Sequence, residues 1–234
     1  GVDFSPDGTR IISGGGEYAR AGIIRCWNAS SGQQLWALRG HSNRVKSVSF
    51  SPCGARIASV CVDKTIKLWD AASGQEMLTL KHDGIATCVA FSPDGSMLAF
   101  AGCSEVEPNG TCADPEVLLW DMNTGQVIGE LLPERDDPCN AVAFHPDGTI
   151  LASACGEFGV IDLWDSATLS HLGSTPGSGS TVYSLAFSQD GTMLASSGST
   201  DRLVYLWDLR SLAAPDITPR EGGGFSSLFA DFPA

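Results

Sequence analysis

One short phrase is written five times along this chain: Phe4-Ser5-Pro6-Asp7-Gly8, Phe50-Ser51-Pro52-Cys53-Gly54, Phe91-Ser92-Pro93-Asp94-Gly95, Phe144-His145-Pro146-Asp147-Gly148 and Phe187-Ser188-Gln189-Asp190-Gly191. About twenty to thirty residues after each comes an apolar segment ending in tryptophan, at Trp27-Asn28, Trp69-Asp70, Trp120-Asp121, Trp164-Asp165 and Trp207-Asp208. Self-similarity at a steady period means one supersecondary unit used repeatedly, each copy burying its apolar surface against the next. That constrains the fold more than any single residue. It also argues against catalysis, because each copy is committed to the same structural task.

The second copy shows what the unit is. Val45, Val48 and Phe50 belong to a short strand, which Ser51-Pro52-Cys53-Gly54 ends in a tight turn. Proline presets the backbone at the second turn position and glycine tolerates the fourth. Arg56–Ser59 begins a second strand, Asp63-Lys64 is a polar turn, and Thr65–Trp69 alternates as a third strand. Ser73-Gly74-Gln75 turns the chain again into Glu76–Leu80 as a fourth. A four-stranded meander cannot bury both faces alone. Stacked radially on copies of itself it can, so the expectation is an all-β propeller of five four-stranded blades. A recurring tryptophan suits that scheme: a ring burying ~150–250 Å² contributes about 4–6 kcal/mol at about 25 cal/mol per Å².

The second copy resembles the WD40-repeat (β-transducin-like) family through Gly40-His41, Ser59, Asp63 and Leu68-Trp69-Asp70. The resemblance implies a hydrogen-bond network of His41, Ser59, Asp63 and Trp69 tying the third strand to the loops. That role competes with reading the His/Ser/Asp set as a hydrolytic triad. The other copies are degenerate, so the complete network is expected only in blade two. Blade five keeps Ser197, Asp201 and Trp207 but has Ser178-Gly179-Ser180 where Gly-His would stand, and blade three offers His82 without a clean partner Asp. Members of the family most often have seven blades. Five copies therefore predict a partial propeller or open arc, with a closed five-bladed ring as the alternative. In an arc, remaining blades or another chain would cover the exposed end blades.

The repeat is broken in identifiable places. Phe-to-Phe spacings of 46, 41, 53 and 43 residues put an insert in blade three, between its second and third strands, over 102–115. A smaller one, 14–21, occupies the same place in blade one. The stretch 102–138 holds nine carboxylates against one base, Arg135, so most of the chain's net charge of −13 is concentrated there. Loop insertions on one side of a repeat array often form its binding face. The candidate partner-binding residues are Arg44, Glu105, Glu107, Asp114, Glu134, Asp136 and Asp137, and a basic protein is the matching partner. The blades extend over 1–217, with 209–217 a candidate last strand and 218–234 a flexible tail.

The remaining composition excludes more than it selects. Net acidity disfavours direct nucleic-acid binding, which needs Lys and Arg on phosphates. No apolar run reaches the roughly 18 residues a membrane helix needs, and no glycine-rich phosphate loop opens a helix. The eight cysteines form no C-x-x-C pair and show no zinc-ligand spacing. No metal or other cofactor is therefore expected. Cys61, Cys88 and Cys155 are expected as buried free thiols, and Cys103 with Cys112 as the pair able to meet. Reduced thiols point to an intracellular setting, cytoplasmic or nuclear. The expected function is a non-catalytic scaffold binding proteins on its loop face. The alternatives are a propeller segment of a larger multidomain signalling or regulatory protein, or, less favoured, a propeller-based enzyme. With four histidines in all, one of them implied in the network, there is little material for an active site.

Overall fold

The computed structural model describes residues 1–104, 114–133, 138–198, 202–210 and the strand Leu228–Phe229. Blade one comprises β1 (Val2–Phe4), β2 (Arg10–Gly15), β3 (Ile23–Asn28) and β4 (Gln34–Arg39). Blade two comprises β5 (Val45–Phe50), β6 (Arg56–Cys61), β7 (Thr65–Asp70) and β8 (Glu76–Lys81). Blade three runs β9 (Ile85–Phe91), β10 (Met97–Cys103), β11 (Pro115–Asp121) and β12 (Gln126–Leu131). Blade four runs β13 (Cys139–Phe144), β14 (Ile150–Cys155), β15 (Ile161–Asp165) and β16 (His171–Ser174). Blade five has β17 (Val182–Phe187), β18 (Met193–Gly198), β19 (Val204–Asp208) and β20 (Leu228–Phe229). Each is an antiparallel meander in chain order, giving a five-bladed β-propeller.

The repeated phrase makes the first turn of every blade. Gly8, Gly54, Gly95, Gly148 and Gly191 all have φ between +68° and +80°, a region open to glycine at little cost. Each donates its N–H to the carbonyl three residues earlier. In the first turn Asp7 accepts from Ser5 and Thr9, which holds its carboxyl down at about 2.

Four apolar cores lie between the five blades. Ile12, Ile24, Cys26 and Leu38 of blade one meet Val45, Val48, Phe50 and Trp69 of blade two. The same layering recurs between blades two and three, three and four, and four and five. The innermost strands of all five blades line a central cavity of about 540 Å³. The faces of the last and first blades that look toward each other are less covered. Val2 and Phe4 are 66% and 58% exposed, whereas their counterparts Val48 and Phe50 are 4% and 5% exposed. On the other side of the seam, Ala195, Val204 and Leu206 are half-buried, where Ile12, Ile24 and Cys26 of blade one are fully covered.

Several boundaries differ from the sequence reading. The strands flanking the blade-three insert run further, pairing Gly102 with Glu116 and Cys103 with Pro115, so the insert proper begins after Cys103. In blade one Gly14 and Gly15 are strand residues paired with Ile24 and Ile23. The strand that pairs with β19 is Leu228–Phe229, from the segment read as a tail. Leu209 and Arg210 are outside any strand, and 211–217 fall outside the described residues.

Candidate functional site

Blade two brings His41, Ser59, Asp63 and Trp69 together. Trp69 Nε1 donates to Ser59 Oγ at 2.8 Å, and Ser59 Oγ lies 2.8 Å from His41 Nε2. His41 Nδ1 faces the Asp63 carboxylate at 3.1 Å. An ionised carboxylate only accepts, so Nδ1 carries the proton, and Nε2 accepts a hydrogen bond from the Ser59 hydroxyl. Asp63 also accepts from the Ser42 amide, the Thr65 amide and the Thr65 hydroxyl. Burial pushes the His41 pKa down, only partly offset by Asp63, which keeps the ring neutral. Burial opposes ionisation of Asp63 as well, yet the Thr65 hydroxyl, the Ser42 amide and His41 hold its carboxyl below the ordinary value. The set is saturated with internal bonds and nearly sealed from solvent, with His41 at 3% and Trp69 at 2% exposure. It joins a loop, a turn and two strands, and presents no group to a substrate.

Cys61 lies beside this network. Its thiol, with His41 and Asp63, forms the one cluster of metal-ligating type among the described residues. Those atoms are already engaged: Cys61 Sγ donates to the Asn43 carbonyl at 3.1 Å, and burial pushes its pKa up to about 12. A protonated thiol is no metal ligand, so the chemistry of the set favours hydrogen bonding.

Register explains what the other blades keep. Ser59 lies two residues beyond Ile57, the partner of Trp69, and so shares its face. The same offset gives Ser13 in blade one and Ser153 in blade four, which accept from Trp27 Nε1 and Trp164 Nε1 at 2.9 Å. In blade five it gives Ser196, which accepts from Trp207 Nε1 at 3.0 Å. The serine read from the sequence, Ser197, is one residue off and therefore on the opposite face of the strand. Asp201 lies outside the described residues. In blade three the position falls to Phe100, which has no hydroxyl. There His82 bonds Glu116 instead. Glu116 stands four residues before Trp120, as Thr65 stands four before Trp69, a correspondence visible only once the strands are aligned.

Of the residues read as partner-binding, Arg44 and Asp114 are exposed, and Glu105, Glu107, Glu134, Asp136 and Asp137 lie outside the described residues. Arg44 precedes β5, and Asp114 precedes β11. Cys103 pairs with both Ile85 and Pro115, and Leu131 pairs with Val117, so Ile85, Cys103, Pro115 and Leu131 share one end of blade three.

The thiols depart from expectation. Cys139 and Cys155 form a disulfide across β13 and β14, where they are direct partners. Cys155 is thus not a free buried thiol. Cys103 is also disulfide-bonded, while Cys112 lies outside the described residues. Cys26, Cys53, Cys61 and Cys88 are free. Pairing depends on strand register, which places residues 16 apart in sequence face to face. No cysteine-spacing rule contains that information.

A family model described as WD domain, G-beta repeat matches residues 1–28, 32–70, 74–121, 125–165 and 169–208. The chain belongs to the WD40-repeat family. Among curated relatives, it is 28% identical over 180 residues to the small ribosomal subunit protein RACK1 of Drosophila melanogaster, covering 73% of this chain and 52% of that protein. It is 28% identical over 181 residues to the nuclear distribution protein PAC1-2 of Uncinocarpus reesii, covering 70% and 39%. With the periodic tryptophan protein 2 homolog of Dictyostelium discoideum the identity is 28% over 157 residues, covering 65% and 16%. The chain thus spans about half or less of the length of these relatives. WD40 relatives of this kind are generally protein-interaction scaffolds and typically non-enzymatic. No helix among the described residues is long and apolar enough to cross a membrane.

Proposed function

We propose that the chain is a non-catalytic scaffold that gathers protein partners on the loop face of blades two to four, and that a partner docked there is basic. What supports this reading is that Cys103, Pro115 and Leu131 share one end of blade three, within the stretch 102–138 that holds nine carboxylates and one base. Clustered charge of one sign raises the encounter rate with an opposite patch and rejects like-charged partners. Arg44, Glu105, Glu107, Asp114, Glu134, Asp136 and Asp137 are the residues assigned to the contact. The proposed setting is intracellular, in line with relatives named for the ribosome and for nuclear distribution.

The chain is further proposed to act as one segment of a larger propeller protein. Its coverage of at most 52% of the relatives named above supports this, as does the exposure of Val2 and Phe4. Further blades or another chain would cover those end faces. The test is a binding assay of the whole chain and of a variant with 105–113 replaced by a short Gly-Ser link. Partners captured by the parent protein should be lost by the variant, and capture should weaken with salt as screening shortens the reach of the charge. Equal capture by both proteins overturns the assignment of this face.

A further inference from the structure

Blade three carries a buried His–Glu pair where blade two has His41 with Asp63. His82, in the loop between β8 and β9, turns Nε2 onto Glu116 Oε1, and their side chains are 8% and 6% exposed. Glu116 lies in β11, just past the insert. The His82 ring packs edge-on against Phe100 with centroids 5.3 Å apart. Its Nδ1 is buried without a hydrogen-bond partner. The pair lies beside a cavity of about 220 Å³ between blades two and three.

The loop around His82 is pressed onto the neck of the insert. A Cβ on Gly84 would stand 1.5 Å from the Cys103 carbonyl oxygen, and one on Gly102 would stand 2.4 Å from the Ile85 oxygen. Only glycine permits backbones to approach this closely. The neck is closed by the Ser104 amide donating to the Asp114 carbonyl at 2.8 Å. Blade two holds the other side of the loop: His82 N–H donates to Lys64 O at 3.0 Å, and Lys64 Nζ donates to Asp83 O at 2.6 Å.

We propose that His82 and Glu116 form a pH-sensitive latch, in which protonated His82 holds the loop 82–84 against the insert's neck and loss of that proton loosens the neck. Burial by itself disfavours the charged ring. The Glu116 hydrogen bond and charge outweigh it, with help from the charge of Asp83, so the His82 pKa is raised above its ordinary 6.5. Lys64, bonded to the Asp83 carbonyl, and Lys81, which lines the same cavity, are the cations of blade two beside the loop. A histidine with a raised folded pKa contributes stability that is complete below 6.5 and is lost as pH rises through the folded value. The charge assistance that strengthens the Glu116 bond disappears over that window. The latch stands whether or not the loop face docks a basic partner.

The test follows the histidine ring resonances and the Ser104 amide of the whole chain by NMR between about pH 5 and 8. His82 should titrate above 6.5, and His41, lowered by burial, should titrate below it in the same spectra. Exchange of the Ser104 amide, corrected for intrinsic base catalysis, should rise about 5- to 10-fold across the His82 midpoint, or about 1.0–1.4 kcal/mol at 1.36 kcal/mol per decade. In His82→Gln that rise should vanish, and in Glu116→Gln the His82 midpoint should fall. A His82 midpoint at or below 6.5, or the same Ser104 profile in the parent and His82→Gln, overturns the latch. Should His82→Gln fail to fold, the His82 midpoint in Glu116→Gln decides: an unchanged midpoint overturns it.

Discussion

Replacing Ser59 by alanine removes a hydroxyl that stands at the centre of the blade-two network. That oxygen accepts from Trp69 Nε1 and lies in hydrogen-bond contact with His41 Nε2, each at 2.8 Å. Ser59 itself has no exposed surface. Alanine fills nearly the same volume, so little of the effect comes from packing. Its cost is the burial of one indole N–H and one imidazole nitrogen without partners, at about 1–3 kcal/mol for each group. We expect a loss of about 2–4 kcal/mol, which for a chain of this size lowers Tm by roughly 5–15 °C. Ser153→Ala in blade four is the matched control, because among the described residues the Ser153 hydroxyl bonds Trp164 Nε1 alone, so about half the loss is expected. Urea unfolding followed by tryptophan fluorescence measures both variants, and an unchanged m-value shows that the same transition is compared. If Ser59→Ala costs less than about 1 kcal/mol, or no more than Ser153→Ala, the network does not carry the load assigned to it.

Two further expectations concern the seam and the thiols. Phe50→Ala should cost about 3–5 kcal/mol, whereas Phe4→Ala, at the equivalent position but 58% exposed, should cost under about 1 kcal/mol; equal losses in urea unfolding would mean that the end face is packed in solution. Peptide mapping after alkylation without reductant should recover Cys139 and Cys155 as one linked species, and reduction should cost about 2–3 kcal/mol for a bridge of this span. Recovery of both as alkylated thiols from freshly lysed cells would refute the bridge.

The blade was legible because its cues are local. Ser51-Pro52-Cys53-Gly54 forces a turn through two residues with restricted or permissive backbones, and Thr65–Trp69 alternates faces at the strand period. His41, Ser59, Asp63 and Trp69 were named together only through the family resemblance, since no periodicity brings His41 to residues 18 to 28 positions further on. The blade-five serine shows the limit of reading by proximity. Ser196 and Ser197 are adjacent in sequence, and only register decides which one faces Trp207. His82 and Glu116 were harder still, because they lie 34 residues apart on opposite sides of an insert of irregular length.

By itself the sequence determined the unit, its fivefold repetition and the sites of its interruptions, because turn residues and strand alternation act over a few neighbouring positions. The tertiary structure alone decided which polar groups meet in the dark: Ser196 with Trp207, Cys139 with Cys155, and His82 with Glu116 in place of the blade-two arrangement. Those pairings follow from strand register and from the pressure of one blade on the next. A buried polar group must find whatever partner that packing brings within reach, and that partner is not encoded at any fixed spacing along the chain.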